Sequence, residues 1–158
     1  PNVDSLLWFL INVFPILEQA IPDIKLNIVG DNSAPSLATI NKENINFTGR
    51  LDSVEEMYNA SRVFIAPTRF AAGIPHKIHE AAAKGLPSVT TALLAQQLGW
   101  KDTKELLVAD TPEAYAAQCI KLYQDEKLWL DVRDAGLTAI AKDCSQETFR
   151  KNLAGLFA

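Results

Sequence analysis

The chain has 158 residues, 48% of them hydrophobic and 22% charged, the balance of one soluble domain with a core of its own. The formal net charge is -4, with both signs scattered and no basic block or stripe, which argues against a nucleic-acid partner. Apolar runs break off short of the roughly 20 residues a membrane span needs. No signal peptide is visible, so a cytoplasmic location is expected, with any membrane association peripheral and carried by another domain. Cys119 and Cys144 share no metal-ligand spacing and read as reduced, packed thiols. The chain starts at Pro1, without an initiator Met, almost directly in a helical pattern, and reads as a piece of a longer protein.

Residues 4–20 carry apolar positions at helical spacing, among them Leu7, Leu10, Ile11, Phe14 and Leu17. Asn2 or Asp4 is placed to cap this helix, and Pro15 is expected to kink it by removing a backbone donor. Residues 25–30 read as a first strand, stopped by Gly30-Asp31-Asn32. A short helix is expected over 36–40. Residues 45–48 read as a second strand, ended by Gly49. Ser53 before Glu55-Glu56 resembles a capping box for a helix to Ala60. Residues 63–66 form a third strand, closed by Pro67.

A loop over 68–75 leads into a helix over 76–84, with Gly85 as its carboxyl cap. Residues 87–91 read as a fourth strand, 93–98 as a weak helical turn and 106–109 as a fifth strand. Thr111-Pro112-Glu113 opens an amphipathic helix to about Asp125. Helices near 127–142 and 146–157 complete the chain. Short apolar strands alternating with helices predict a single α/β domain over 1–158, Rossmann-like, its parallel sheet covered on both faces.

In such a sheet ligands collect beyond the carboxyl ends of the strands. The loop after Ala66 is the most unusual, running Pro67-Thr68-Arg69-Phe70-Ala71-Ala72-Gly73-Ile74-Pro75-His76-Lys77-Ile78-His79-Glu80. Gly73 permits a tight backbone, and the amino end of the following helix offers free N–H groups and partial positive charge. Lys77 in that first turn is locally unfavourable, by about 0.3–1 kcal/mol. A bound phosphate would resolve the conflict. The bland alternative is a solvated Lys77, or one paired with Glu80.

Glu80 lies on the same helix face as Lys77 and suits two ribose hydroxyls; the alternative is a surface ion pair with Lys77 or Lys84. Gly49 would let a flat base approach the backbone, with Arg50 in reach of phosphate or base. Arg69 and Phe70 belong to the site loop, Phe70 equally suited to loop packing. His76, His79 and Glu80 match no metal spacing, and Lys77 would repel a cation, so no metal is expected.

These residues resemble the carboxyl-terminal domain of group 1 (family 4) glycosyltransferases. The resemblance runs through Leu26-Asn27-Ile28-Val29-Gly30, Phe47-Thr48-Gly49-Arg50 and Tyr58-Asn59-Ala60-Ser61-Arg62-Val63-Phe64-Ile65-Ala66-Pro67. It is most specific from Gly73 through Val89, with Lys77-Ile78-His79-Glu80-Ala81-Ala82-Ala83-Lys84-Gly85-Leu86-Pro87 at its centre.

The resemblance implies half of a two-domain GT-B enzyme, with a nucleoside-diphosphate sugar bound in the cleft between Rossmann-like domains. It implies transfer with retention to a glycan or lipid-linked acceptor, without a required metal or other cofactor. The diphosphate would meet Gly73, Ile74 and Lys77, and the ribose Glu80. Gly49, Arg50, Arg69 and Ala72 would lie near the base or donor. Ala72 stands where the family carries a glutamate near the sugar, and Pro75-His76 replaces the usual Lys-Gly. The family's first strand and acceptor domain would precede Pro1, so the chain by itself is expected to be inactive. A non-catalytic partner-binding module and a nucleotide-sugar epimerase of the same architecture are the alternatives.

Overall fold

The computed structural model describes residues 2–70 and 73–145. A long amino-terminal helix is built in three parts: α1 (Asn2–Trp8), a π-helical turn (Phe9–Val13) and α2 (Phe14–Ala20). Around Pro15, where a kink is expected, the winding of this helix changes. Proline cannot donate to the ladder, and the turn just before it widens, with Phe14 N–H bonding to Phe9 O.

The chain then alternates β1 (Leu26–Val29), β2 (Ile45–Gly49), α3 (Glu55–Ala60), β3 (Phe64–Ala66), α4 (His76–Ala83), β4 (Ser88–Thr90), α5 (Ala92–Leu98), β5 (Leu107–Val108), α6 (Pro112–Gln124) and α7 (Glu126–Asp143). The expected helix over 36–40 is a run of turns. Its bonds step back three residues, as in Leu37 N–H to Ala34 O and Ile40 N–H to Leu37 O. Ser53 does not complete a capping box: its hydroxyl accepts from Glu55 N–H, while Val54 occupies the cap position. Gly85 closes α4 at φ 71°, with Gly85 N–H to Ala82 O and Leu86 N–H to Ala81 O. That pair of bonds is a Schellman motif, one position beyond the cap residue Lys84. The helix expected over 146–157 lies outside the described residues.

All paired strands are parallel, as expected, but they form two ladders rather than one. β1 pairs with β2, and β3-β4-β5 make a three-stranded sheet. One core nevertheless runs across both, joining Ile28 and Ile45 of the first to Val89 and Leu107 of the second.

Alternation along the strands sorts side chains onto two faces. Ile65, Val89 and Leu107 meet the amino-terminal helix and α6 through Phe9, Val13, Phe14, Tyr115, Cys119 and Leu122. Phe64, Ala66, Leu106 and Val108 meet α4, α5 and the end of α7 through Ile78, Ala82, Leu94 and Ile140. The three-stranded sheet is therefore covered on both sides, which is why its strands read as apolar runs.

The helix over Asn2–Ala20 is long and apolar enough to cross a membrane by length and composition. Here its Phe9, Leu10, Val13, Phe14 and Leu17 are spent in the core. Tyr115 is the pin of that core. Its buried hydroxyl donates to Val89 O at 2.6 Å and accepts from Ala66 N–H at 3.1 Å, and its ring takes edge-on contacts from Trp8 and Phe9. Burial pushes the Cys119 thiol up, so it stays protonated, while Cys144 is exposed.

Candidate functional site

The loop after β3 starts from a fixed root. Thr90 Oγ1 donates to Ala66 O at 3.2 Å and Thr91 Oγ1 to Thr68 O at 2.6 Å, so the end of β4 holds the end of β3. The Thr68 hydroxyl itself is buried without a partner. Beyond the root, Arg69, Phe70, Gly73 and Ile74 are exposed. Gly73 sits at φ 91°, a left-handed backbone that suits glycine, and the space where a Cβ would project is open. Ala72 lies outside the described residues.

α4 begins at His76 with Pro75 as its cap residue, and no side chain caps its amino end. His76 N–H bonds to Ile74 O and Ile78 N–H to Pro75 O, so this end offers the Lys77 N–H and partial positive charge beside the loop. Lys77 lies in the first turn. It does not pair with Glu80; its Nζ reaches Asn2 Oδ1 at 3.5 Å, at the start of α1. Burial among neighbouring atoms draws its pKa below the usual lysine value, although part of the side chain meets solvent. Arg69 Nη2 bonds both carboxylate oxygens of Asp4 at 2.9 Å, and its guanidinium lies 5.7 Å from the Trp8 ring centroid. Of the two loop cations, Arg69 is thus already matched by an acid, and Lys77 is not.

Glu80 is exposed in the second turn of α4. Neither lysine ion pair weighed from the sequence forms: Lys84 Nζ bridges to Glu55 Oε1 at 2.9 Å instead. Burial first, then the charge of the neighbouring Glu80 carboxylate, push the phenol of Tyr58 in α3 up to about 12. His79 turns from the site toward Trp100, ring centroids 5.3 Å apart. Among the described residues no three of His, Cys, Asp and Glu are grouped to hold a metal.

Gly49 and Arg50 end the other ladder. A register shift at Ile28/Val29 leaves Thr48 as an extra residue, and Gly49 takes φ 70° with open space above it. Arg50 Nη2 lies 3.1 Å from Asp31 Oδ2, joining the loops after β1 and β2, with most of its side chain in solvent. The structure thus gathers Arg69, Gly73, Ile74, Lys77 and Glu80 around one strand end and places Gly49 and Arg50 at another. Sequence reasoning missed Asp4, Asn2 and Tyr58. Tyr58 lay inside the Tyr58-Asn59-Ala60-Ser61-Arg62 segment, but nothing in that segment marks its nearness to Glu80. An open depression of about 380 Å³ is lined by Lys104, Glu105, Asp134, Ala135, Thr138 and Ala139, away from these residues.

The sequence profile of the family described as Glycosyl transferases group 1 matches residues 1–125. An uncharacterized 44.6 kDa protein in the cps region of Klebsiella pneumoniae is 25% identical over 128 residues, covering 75% of this chain and 33% of that protein. HepE of Anabaena, solved with UDP-glucose, superposes with a TM-score of 0.76 at 14% identity over 92% of this chain and 43% of its own. A glycosyltransferase from Rickettsia africae superposes at 0.73 with 17% identity, over 89% of this chain and 42% of its own. At these identities the structural matches show a shared fold. The chain spans less than half the length of each of these proteins.

Proposed function

Because this chain belongs to the group 1 glycosyltransferases, we propose that it is the donor-binding half of a GT-B enzyme, taking a nucleoside-diphosphate sugar at the loop between β3 and α4. The observation that carries this reading is the uncapped amino end of α4 with Lys77 in its first turn, bonded to no carboxylate, and Glu80 one turn on. Amides near Gly73 and Ile74, the helix end and Lys77 would face the diphosphate, and Glu80 the ribose. Positive charge aimed where the leaving diphosphate gains negative charge is the main catalytic help such a site can give. Gly49 and Arg50 would flank the base. Arg69 supports the loop from the side, its charge matched by Asp4. That HepE was solved with UDP-glucose supports a nucleotide sugar as ligand.

The finer reading is transfer with retention, without a metal or other cofactor, to a glycan or lipid-linked acceptor held by another domain, in the cytoplasm. The cps-region relative points the same way, toward polysaccharide synthesis. Calorimetric titration of UDP, GDP and ADP into the full-length protein tests the site. One nucleotide should bind, and Lys77→Ala and Glu80→Ala should each weaken it. Binding unchanged in the double variant would overturn the assignment. A non-catalytic module is the second reading, favoured by Ala72 in place of an acid near the sugar. Release of free sugar or transferred product from a radiolabelled donor separates the two.

A further inference from the structure

The first turn of α1 touches the site loop from both sides of Gly73. Arg69 stands near the start of the loop after β3, and Lys77 lies just past its end, in the first turn of α4. Both reach back to the start of α1, where Asn2 and Asp4 stand two positions apart. Arg69 Nη2 donates to both carboxylate oxygens of Asp4 at 2.9 Å, and its guanidinium lies 5.7 Å from the ring centroid of Trp8, one turn further along the helix. Lys77 Nζ donates to Asn2 Oδ1 at 3.5 Å, a longer and looser contact. The turn that receives them is itself fixed. The helix it opens buries Phe9, Val13 and Phe14 in the core.

Phe70 and Ile74 are exposed, so the loop has few packing contacts of its own to set its shape. Its outside holds are therefore decisive, and they differ in chemistry. The Asp4 carboxylate matches the charge of Arg69. The Asn2 amide oxygen is neutral and occupies one of the three donors of Lys77, which leaves the ammonium its charge and two donors for a ligand. A long contact is also cheap to give up when a ligand arrives. Resting on the reading of Lys77 and the backbone at Gly73 and Ile74 as the diphosphate site, we propose that Asn2 and Asp4 are positioning residues for nucleotide binding. Asp4 holds the loop through Arg69, and Asn2 parks Lys77 in place at full charge. Neither touches the ligand; each lowers the ordering that binding would otherwise require.

The test titrates UDP and uridine, which lacks the phosphates, into the full-length protein and its variants. Asp4→Arg and Arg69→Asp should each weaken UDP by about fivefold, the effect of one or two side chains left to be ordered by the ligand. The double variant rebuilds the pair in reverse and should recover most of that loss. Charge alone predicts the opposite sign for Asp4→Arg, which makes the site more positive. Asn2→Ala should weaken UDP by about threefold, and should have no effect when Lys77→Ala is already present, because the two act as one unit. Uridine should bind all variants alike. If Lys77→Ala weakens UDP and none of the Asn2 and Asp4 variants does, the role of the α1 turn falls while the diphosphate site stands. If Lys77→Ala leaves UDP unchanged, the site reading itself falls, and the role of Asn2 and Asp4 with it. Tighter UDP binding by Asp4→Arg, or a swapped pair as weak as Arg69→Asp, would mean that Arg69 serves by its charge and would overturn the proposal. Equal weakening of uridine would make the turn a general prop and overturn it as well.

Discussion

Arg69 reaches 65 residues back along the chain to Asp4, one guanidinium nitrogen lying 2.9 Å from each carboxylate oxygen. The contact straps the site loop to the first turn of the amino-terminal helix, and Trp8 beneath the guanidinium fixes its plane. Both side chains keep about two-fifths of their surface in solvent, so screening limits what the pair adds to stability.

A double-mutant cycle on Asp4→Asn and Arg69→Gln should give a coupling of about 0.5 kcal/mol in urea unfolding, shrinking with added salt. The more telling measurement is nucleotide binding. Because Asp4 already matches the Arg69 charge, Arg69→Gln should cost less UDP affinity than Lys77→Ala. The reverse order would mean that Arg69 leaves Asp4 to hold the diphosphate.

Tyr115→Phe removes one oxygen that bonds two backbone groups, Ala66 N–H and Val89 O, inside the core. A buried group left unsatisfied costs about 1–3 kcal/mol. The variant should lose that much in urea unfolding with no change in the slope of the transition. A loss well below 1 kcal/mol would mean that the strands close over the gap and satisfy each other. The site loop springs from Ala66, so the variant should also expose the loop to protease more readily.

The strands were legible because both faces of the sheet are covered, and the helix ends because Pro112 and Gly85 punctuate them. Lys77 and Glu80 stood out because a cation in a first helical turn breaks a local rule. What the sequence could not show are relations between distant elements. Nothing near Arg69 in the chain announces Asp4, and nothing near Glu80 announces Tyr58. The division of strands into two ladders was hidden for a different reason. Apolar runs report burial, and Ile28 and Val89 are buried in one shared core whichever ladder holds them. Residues 36–40 misled because three apolar positions in a turn-rich stretch satisfy a helical template too short to nucleate a helix.

His79 carries a pH dependence of known sign. Burial lowers its pKa from 6.5, opposed by the charge of Asp143 and aided by that of His76, and its Nε2 is buried without a partner. The unfolded chain therefore takes up a proton near pH 6.5 that the folded chain resists. This destabilises the fold as pH falls through 6.5, down to the lowered value, and is absent above 7. Other carboxylates titrate in the same acid range, so the comparison is between proteins. The loss of stability from pH 7.5 to 5.5 should be smaller in His79→Gln than in the parent. An equal loss in both would place the acid sensitivity elsewhere.

Gly73→Ala separates loop shape from global stability. At φ 91° an alanine is strained by about 1–2 kcal/mol, yet its methyl group would meet no atom within 4 Å. The neighbouring Phe70 and Ile74 are exposed at 51% and 58%, so few contacts stop the loop from relaxing to relieve the strain. Unfolding in urea should therefore change little, because the core below Thr91 and Thr68 does not feel the substitution. UDP binding should fall about fivefold or more, since the ligand would have to restore the strained backbone to reach the amides beside Ile74. Unaltered binding in a normally stable variant would show that the diphosphate does not use this backbone, and would move the site toward Gly49 and Arg50.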